Sequence, residues 1–201
     1  MGRVVVVSSL TLDGVMQAPG RPDEDRRGGF VHGGWALPYN DQVMGNAMGA
    51  GMARTRALLL GRRTYQDFAA VWPKRKDNPF TEVLNNTQKY VASRTLTEPL
   101  PWRNSTLLGG DAAEAVAGLR EEPGGDIVVL GSGDLAQSLI RHNLVDEYTL
   151  LIHPLVLGSG RRLFTEGIAV SALRLTASVT TTTGVVIATY QPAEAAAGQG
   201  S

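Results

Sequence analysis

A three-layer α/β/α domain with a central mixed, mostly parallel sheet and an antiparallel C-terminal hairpin is the fold this 201-residue sequence predicts. Apolar runs recur at Val4–Ser8, Ala57–Leu60 and Ile127–Leu130, the first and last of them largely β-branched. That composition suits strands buried on both faces. Stretches with helical spacing lie between them, so strand and helix alternate along the chain. Leu173–Val179 and Val185–Tyr190 flank Thr180–Gly184, the pattern of a closing hairpin.

Each element follows from its own residues. Val4–Ser8 opens into Thr11-Leu12-Asp13-Gly14, where Asp-Gly marks a turn. Gln17–Asn40 has many Gly, Pro and charged residues and little periodicity, and a loop of that length is usually functional or mobile. Its Trp35, Pro38 and Tyr39 either pin the loop to the core or line a pocket for a flat organic ligand. Asp41–Arg54 reads as a helix with Val43, Met44, Ala47, Met48 and Met52 near one face. Gly45, Gly49 and Gly51 each weaken it by up to about 1 kcal/mol relative to alanine. Close packing is their expected purpose, and the methionines are expected in the core. Ala57–Leu60 ends at Gly61, and Thr64 is a candidate cap for the helix carrying Tyr65, Phe68 and Ala69.

Lys89–Ala92 is a further short strand, followed by Ser93-Arg94-Thr95. Asp111–Arg120 reads as a helix capped by Asp111, with Ala112, Val116 and Leu119 inward. After Ile127–Leu130, Gly131-Ser132-Gly133 removes side-chain bulk, and from Asp134 a helix turns Leu135 and Leu139 to one face. Glu147–Ile152 is a strand leading into His153-Pro154. The Leu155–Phe164 loop carries Gly158-Ser159-Gly160 and the basic pair Arg161-Arg162. Residues 1–192 are expected to form one domain, and 193–201, small and polar, a flexible tail.

Composition narrows the function classes. Hydrophobic residues make up 43% and charged residues 19%, as in an ordinary soluble domain. The formal net charge is zero, so the chain as a whole offers no electrostatic case for nucleic acid or an anionic membrane. There is no cysteine, which excludes disulfides, thiolate metal sites and a cysteine nucleophile and agrees with a cytoplasmic setting. The apolar run near the N-terminus is too short for a signal sequence or a membrane span. His32, His142 and His153 show no metal-ligand spacing, so no metal site is expected.

The candidate chemistry sits at strand ends. Arg62, Arg63 and Thr64 follow one strand, Ser93 and Arg94 another, and Gly131, Ser132 and Gly133 a third. In open α/β sheets ligands bind outside the carboxyl ends of the strands. If these strands are parallel neighbours, their ends converge on one dinucleotide. A helix N-terminus behind a glycine turn suits a pyrophosphate, and guanidinium groups suit an additional phosphate. Asp13, after the first strand, is the candidate proton donor and also a plain turn residue. His153 either faces the same cleft or caps the sheet inertly, while His32 and Tyr39 carry no assigned role.

The segments VVVVSSLTLDG, LLLGRRTYQDF, YVASRTL, VVLGSGDLAQSLI and VDEYTLLIHPLVLGSGRRLF, in this order and spacing, resemble the dihydrofolate-reductase-like family. The closer branch is the reductase domain of the bifunctional riboflavin-biosynthesis deaminase–reductase. The similarity runs from about Val4 to Tyr190 and implies an NADPH-binding, dihydrofolate-reductase-like fold. By motif position it implies Gly61, Arg62, Arg63 and Thr64 at the adenosine phosphate end, joined by Ser93 and Arg94. Gly131, Ser132, Gly133, Asp134 and Leu135 would then hold the pyrophosphate. It also implies a homodimer, often formed through the C-terminal strands. Two departures stand out. The zinc-ligand cysteines of a deaminase domain do not occur in this chain. Nor does any residue align with the acid that dihydrofolate reductases carry on their first helix: Asp41, nearby, reads as a helix N-terminal residue.

The expected function is therefore an NADPH-dependent reductase acting on a small heteroaromatic, carbonyl or imine substrate, pterin-like or pyrimidine ribosylamine-like, with Asp13, Trp35, Tyr39 and His153 as the candidate substrate wall. An NADPH-binding sensor without turnover is the alternative. A Rossmann-type NADH dehydrogenase fits less well, because no GxGxxG follows the first strand.

Overall fold

The computed structural model describes residues 1–76, 78–168 and 172–193; the expected tail at 193–201 lies outside them from residue 194 onward. The strands are β1 (Val4–Thr11), β2 (Thr55–Gly61), β3 (Gln88–Ala92), β4 (Ser105–Leu108), β5 (Asp126–Leu130), β6 (Glu147–His153), β7 (Leu173–Thr180) and β8 (Val186–Pro192). They form one eight-stranded sheet in the order β4-β3-β2-β5-β1-β6-β8-β7. The pairings from β4 through β6 are parallel, whereas β8 runs antiparallel to both β6 and β7. The fold is thus the mixed, mostly parallel three-layer architecture with an antiparallel C-terminal hairpin.

The apolar runs divide between the two faces with the strand period of two. Val4 and Val6 of β1, Leu59 of β2 and Ile127 and Val129 of β5 pack against α4 (Ala112–Glu121) and α5 (Gly133–Arg141) through Val116, Leu119, Leu135 and Leu139. Val5, Leu58, Leu60 and Val128 point the other way, toward Tyr65 of α2 (Arg62–Val71) and Leu84 of α3 (Phe80–Asn86). On that second face Met44 of α1 (Gln42–Ala53) packs on Leu151 and Ile187. Truncating one of these fully buried leucines costs about 2–5 kcal/mol.

Several local expectations change. Gly45, Gly49 and Gly51 do not serve close packing, because a Cβ at each would meet open space. α2 begins at Arg62 rather than after Thr64, and no side chain caps it. β4 and α3 were not expected. Ser105–Leu108 is a short edge strand with only half its residues apolar, and α3 is held from outside. Lys89 on β3 is fully buried, and its ammonium donates to the carbonyls of Leu84, Asn85 and Thr87 at 2.8, 3.3 and 2.6 Å. It also lies 4.4 Å from the centre of the Trp102 ring. This one cation terminates α3, the favoured charge at a helix C-terminus. Burial, assisted by Arg103, pushes its pKa down to about 8.

Candidate active site

β3, β2 and β5 are adjacent and parallel, so their carboxyl ends open on one side of the sheet. There they border a cleft of about 1160 Å³. All the expected dinucleotide residues line it: Gly61, Arg62, Arg63 and Thr64, then Ser93 and Arg94, then Gly131 through Leu135.

Their individual parts differ from one another. Gly131 and Ser132 both adopt left-handed backbone, φ +55° each, which turns β5 directly into α5. For Ser132 this is an unusual conformation, and local hydrogen bonds hold it. The Ser132 hydroxyl donates to Leu130 O at 3.1 Å and accepts from Gly61 N–H at 2.9 Å. Ser132 N–H in turn donates to the Thr64 hydroxyl at 3.1 Å. Ser132 and Thr64 therefore knit two strand ends together. Ser93 Oγ is likewise committed to its own turn, accepting from Thr95 and Leu96 N–H groups at 3.1 and 3.0 Å.

What remains free at the rim is backbone and guanidinium. α2 and α5 both start there without a side-chain cap, leaving N–H groups and the positive ends of two helix dipoles directed at the cleft. A Cβ at Gly133 would come within 2.9 Å of the Met16 sulfur, so the Met16 side chain packs directly on this turn. Leu135 borders the cleft but is buried and packs in the core. Asp134 brings a negative charge to a place expected to hold phosphate. Its carboxylate gathers cations instead: it pairs with Arg161 and lies 3.8 Å from Arg63 and 3.9 Å from Arg27. Arg62 and Arg94 form no ion pair among the described residues.

The expected substrate wall is not in this cleft. Asp13, Trp35, Tyr39 and His153 do not line it, because the long loop folds its aromatic residues back onto the ends of β1 and β6. His153 is fully buried opposite Thr11, with Trp35 and Tyr39 edge-on to its ring at 5.0 and 5.5 Å. Its Nδ1 lies 2.9 Å from Leu151 O, and burial lowers its pKa, so the ring is held neutral. Trp35 Nε1 donates to Gln17 O at 2.7 Å.

Asp13 clamps the turn after β1 to the loop after β6. It accepts from the Thr11 hydroxyl at 2.5 Å and from the Leu157 and Gly158 N–H groups at 3.2 and 2.9 Å. The Thr11 bond first, and those N–H groups after it, pull its pKa down to about 2. Asp41 is the N-cap of α1, accepting from Met44 N–H at 2.8 Å.

Other residues take the wall's place. Met16, Gln17 and Glu24 reach the cleft from the loop, and Met48, Asp67, Phe68 and Trp72 from α1 and α2 and the turn after it. Gln17 is the loop's anchor. Its amide donates to Asp25 O and Arg27 O at 3.2 and 3.0 Å and accepts from Arg161 N–H at 3.0 Å. No local sequence pattern distinguishes Gln17 from a surface glutamine. Asp67 and Phe68 lay in view, one turn beyond Arg63 and Thr64 on an amphipathic helix whose half-buried side borders the cleft.

Fold and cleft together define the class: a three-layer α/β/α domain with a mixed, mostly parallel sheet and a cleft at the carboxyl ends of its parallel strands. Residues 3–187 match the model of the RibD C-terminal domain, and the chain belongs to that family. The uncharacterized protein YyaP of Bacillus subtilis (strain 168) is 33% identical over 193 residues, 94% of each chain. Among solved structures, a riboflavin-biosynthesis protein from Shewanella sp. PV-4 superposes with a TM-score of 0.72 at 23% identity, over 96% of this chain and 99% of that one. A dihydrofolate reductase from Enterococcus faecalis, complexed with NADP(H) and RAB-propyl, gives 0.61 at 16% identity over 96% and 98%. A pyrimidine reductase-like protein from Corynebacterium diphtheriae gives 0.60 at 11% over 96% and 93%. These structural likenesses concern the fold. Among the described residues no helix is long and apolar enough to cross a membrane.

Proposed function

We propose that this protein is a cytoplasmic NADPH-dependent reductase of a small heteroaromatic, carbonyl or imine compound. One observation carries the reading: three separate strand ends meet at one cleft where two uncapped helix N-termini converge with Arg62 and Arg94, which form no ion pair among the described residues. The rim suits a phosphorylated dinucleotide on its own chemistry. Backbone N–H groups after Gly61 and Gly131 suit the pyrophosphate. Two guanidinium groups without acidic partners suit a further phosphate on the ribose, and each charge-assisted contact is worth about 1.5–3 kcal/mol. Asp134 holds Arg63, Arg27 and Arg161 near the rim, limiting the entropy lost when they are recruited. The nicotinamide, which supplies the hydride when bound, would lie toward Met16 and Gln17 of the loop, where side chains from both faces exclude water.

Titration of NADPH and NADH against tryptophan fluorescence tests this, because Trp72 borders the cleft. The expected result is a clear preference for NADPH that Arg62→Ala and Arg94→Ala each reduce. Equal affinities for the two dinucleotides would remove the phosphate assignment.

A homodimer through the C-terminal hairpin belongs to the same proposal. β7 is the open edge of the sheet and exposes Leu175 (51%) and Val179 (46%), an apolar edge of the kind that pairs with another chain. Light scattering on the purified protein reads the mass directly, and a monomer at micromolar concentration would end the dimer proposal.

A further inference from the structure

Peroxides attack soft sulfur, and this chain has no cysteine to receive them. Its five methionines are therefore its oxidisable sulfurs. They sit in different surroundings. Met1 precedes β1, at the amino ends of the parallel strands. Met44 is shut into the core, and Met52 packs half-buried against the second face of the sheet. Met48 and Met16 are half-buried and border the cleft.

Met16 is set against the turn into α5. Its N–H donates to Arg161 O at 2.8 Å, and Val15 beside it forms a β-bridge with Arg162, so the backbone here is tied to the loop after β6. From that anchor the thioether lies across Gly133: a Cβ there would meet the Met16 sulfur at 2.9 Å and its methyl carbon at 3.3 Å. α5 starts at this glycine without a side-chain cap. Ser132 N–H is taken by the Thr64 hydroxyl, and Ala136 N–H closes the first turn on Ser132 O at 2.9 Å. The N–H groups of Gly133, Asp134 and Leu135 therefore precede the helical ladder. A thioether sulfur accepts hydrogen bonds only weakly and does little to cap them.

One added oxygen changes this contact. The sulfur gives an electron pair to an oxygen of hydrogen peroxide. The S–O bond forms as the O–O bond breaks, the sulfur is oxidised by two electrons, and the other oxygen leaves as water with both protons. The apolar side chain becomes polar, and its new oxygen accepts hydrogen bonds. That oxygen is created beside three N–H groups at the positive end of a helix dipole. It takes the place at the helix end that a pyrophosphate needs. We propose that Met16 is a site of reversible oxidation by peroxide, and that its sulfoxide caps α5 and closes the rim to the dinucleotide. The closure rests on the reductase reading; the modification and the cap do not.

Dilute hydrogen peroxide is the probe, applied to the full chain without nucleotide while peptide mass spectrometry follows each methionine. Met16 should gain its oxygen about tenfold faster than Met44 or Met52. Amide hydrogen exchange, read by NMR on the same sample, should slow about tenfold at Gly133, Asp134 and Leu135. The NADPH dissociation constant should rise about tenfold in oxidised wild type and in oxidised Met48→Leu, and recover after treatment with methionine sulfoxide reductase. Met16→Leu, compared with its own untreated sample, should show no shift in exchange or affinity. Oxidation of Met16 no faster than that of Met44, unchanged exchange at the three amides, or an equal loss of affinity in wild type and Met16→Leu would each overturn the assignment. Should Met16→Leu melt early, exchange in the wild type and its recovery on enzymatic reduction decide the matter. If untreated wild type binds no NADPH, the reductase reading falls, and the order of oxidation and the exchange rates still decide the modification and the cap.

Discussion

The two ends of the sheet use the same residue types to opposite effect. At the amino ends of β5, β1 and β6, arginine and carboxylate are matched. Arg3 donates to both oxygens of Asp126 at 3.0 and 2.9 Å and to Glu147 at 3.0 Å. Arg120 pairs with Asp146 at 2.6 Å, and Asp146 also accepts from Val4 N–H at 2.8 Å. Each carboxylate there is tied to a strand start, so these charges set how neighbouring strands align. At the carboxyl ends the balance fails. Arg63 and Arg161 share the carboxylate of Asp134, which Arg27, already paired with Asp25, also approaches, and Arg62 and Arg94 form no ion pair among the described residues. Charges already matched contribute to stability, whereas unmatched charges at a cleft are poised for a ligand.

That contrast can be broken by mutation. The largest expected effect is at the open end: Arg62→Ala with Arg94→Ala should raise the NADPH dissociation constant about 100-fold, roughly 2.7 kcal/mol, while leaving the melting temperature unchanged. Calorimetric titration and thermal melting of the same sample measure both. Arg3→Ala should do the reverse. It leaves Asp126 and Glu147, both largely buried, without their partner. A loss of about 1–2 kcal/mol is expected, discounted because Arg3 is over a third exposed, with NADPH affinity untouched. A drop in affinity from Arg3→Ala, or in melting temperature from the arginine pair, would erase the distinction between the two ends.

His153 sharpens the comparison, because it lies toward the carboxyl ends yet is closed off from ligands. Its folded-state pKa is lowered by burial, so below the ordinary histidine value of about 6.5 the unfolded chain binds the proton more readily. Stability from this group is complete above that pH and is lost as pH falls through the window beneath it. Asp13 adds a second, more acidic window: held down at about 2, it gives up its contribution as pH falls from the ordinary aspartate range toward that value. Melting temperature recorded against pH should show both losses, and His153→Gln should remove only the first. The smallest effect is a control that touches neither end. Gly49→Ala on α1 has open space for its methyl group and should stabilise by about 0.5–1 kcal/mol in urea denaturation.

Much of the site was legible because it is built at the junctions of regular elements. Ile127–Leu130 followed by Gly131-Ser132-Gly133 announces a strand, a turn and a helix start, and such a junction places backbone N–H groups whatever surrounds it. The same holds for Gly61-Arg62-Arg63. The functions of individual side chains there were less legible. Ser132 and Thr64 read equally well as phosphate ligands or as mutual hydrogen-bond partners, and only their 3.1 Å separation across two strand ends distinguishes the two.

The sequence by itself determined every strand but β4, every α-helix but α3, and the rim at which arginines and glycines gather, since apolar periodicity and turn residues act locally. Tertiary structure alone decided which way the loop from Gln17 to Asn40 turns its aromatic residues, that Asp13 serves as a clamp, and that Glu24 and Asp67 face the cleft. Those outcomes depend on contacts between residues far apart in the chain, such as Arg21 with Asp67 and Gln17 with Arg161. No spacing rule within a short window encodes such a pairing.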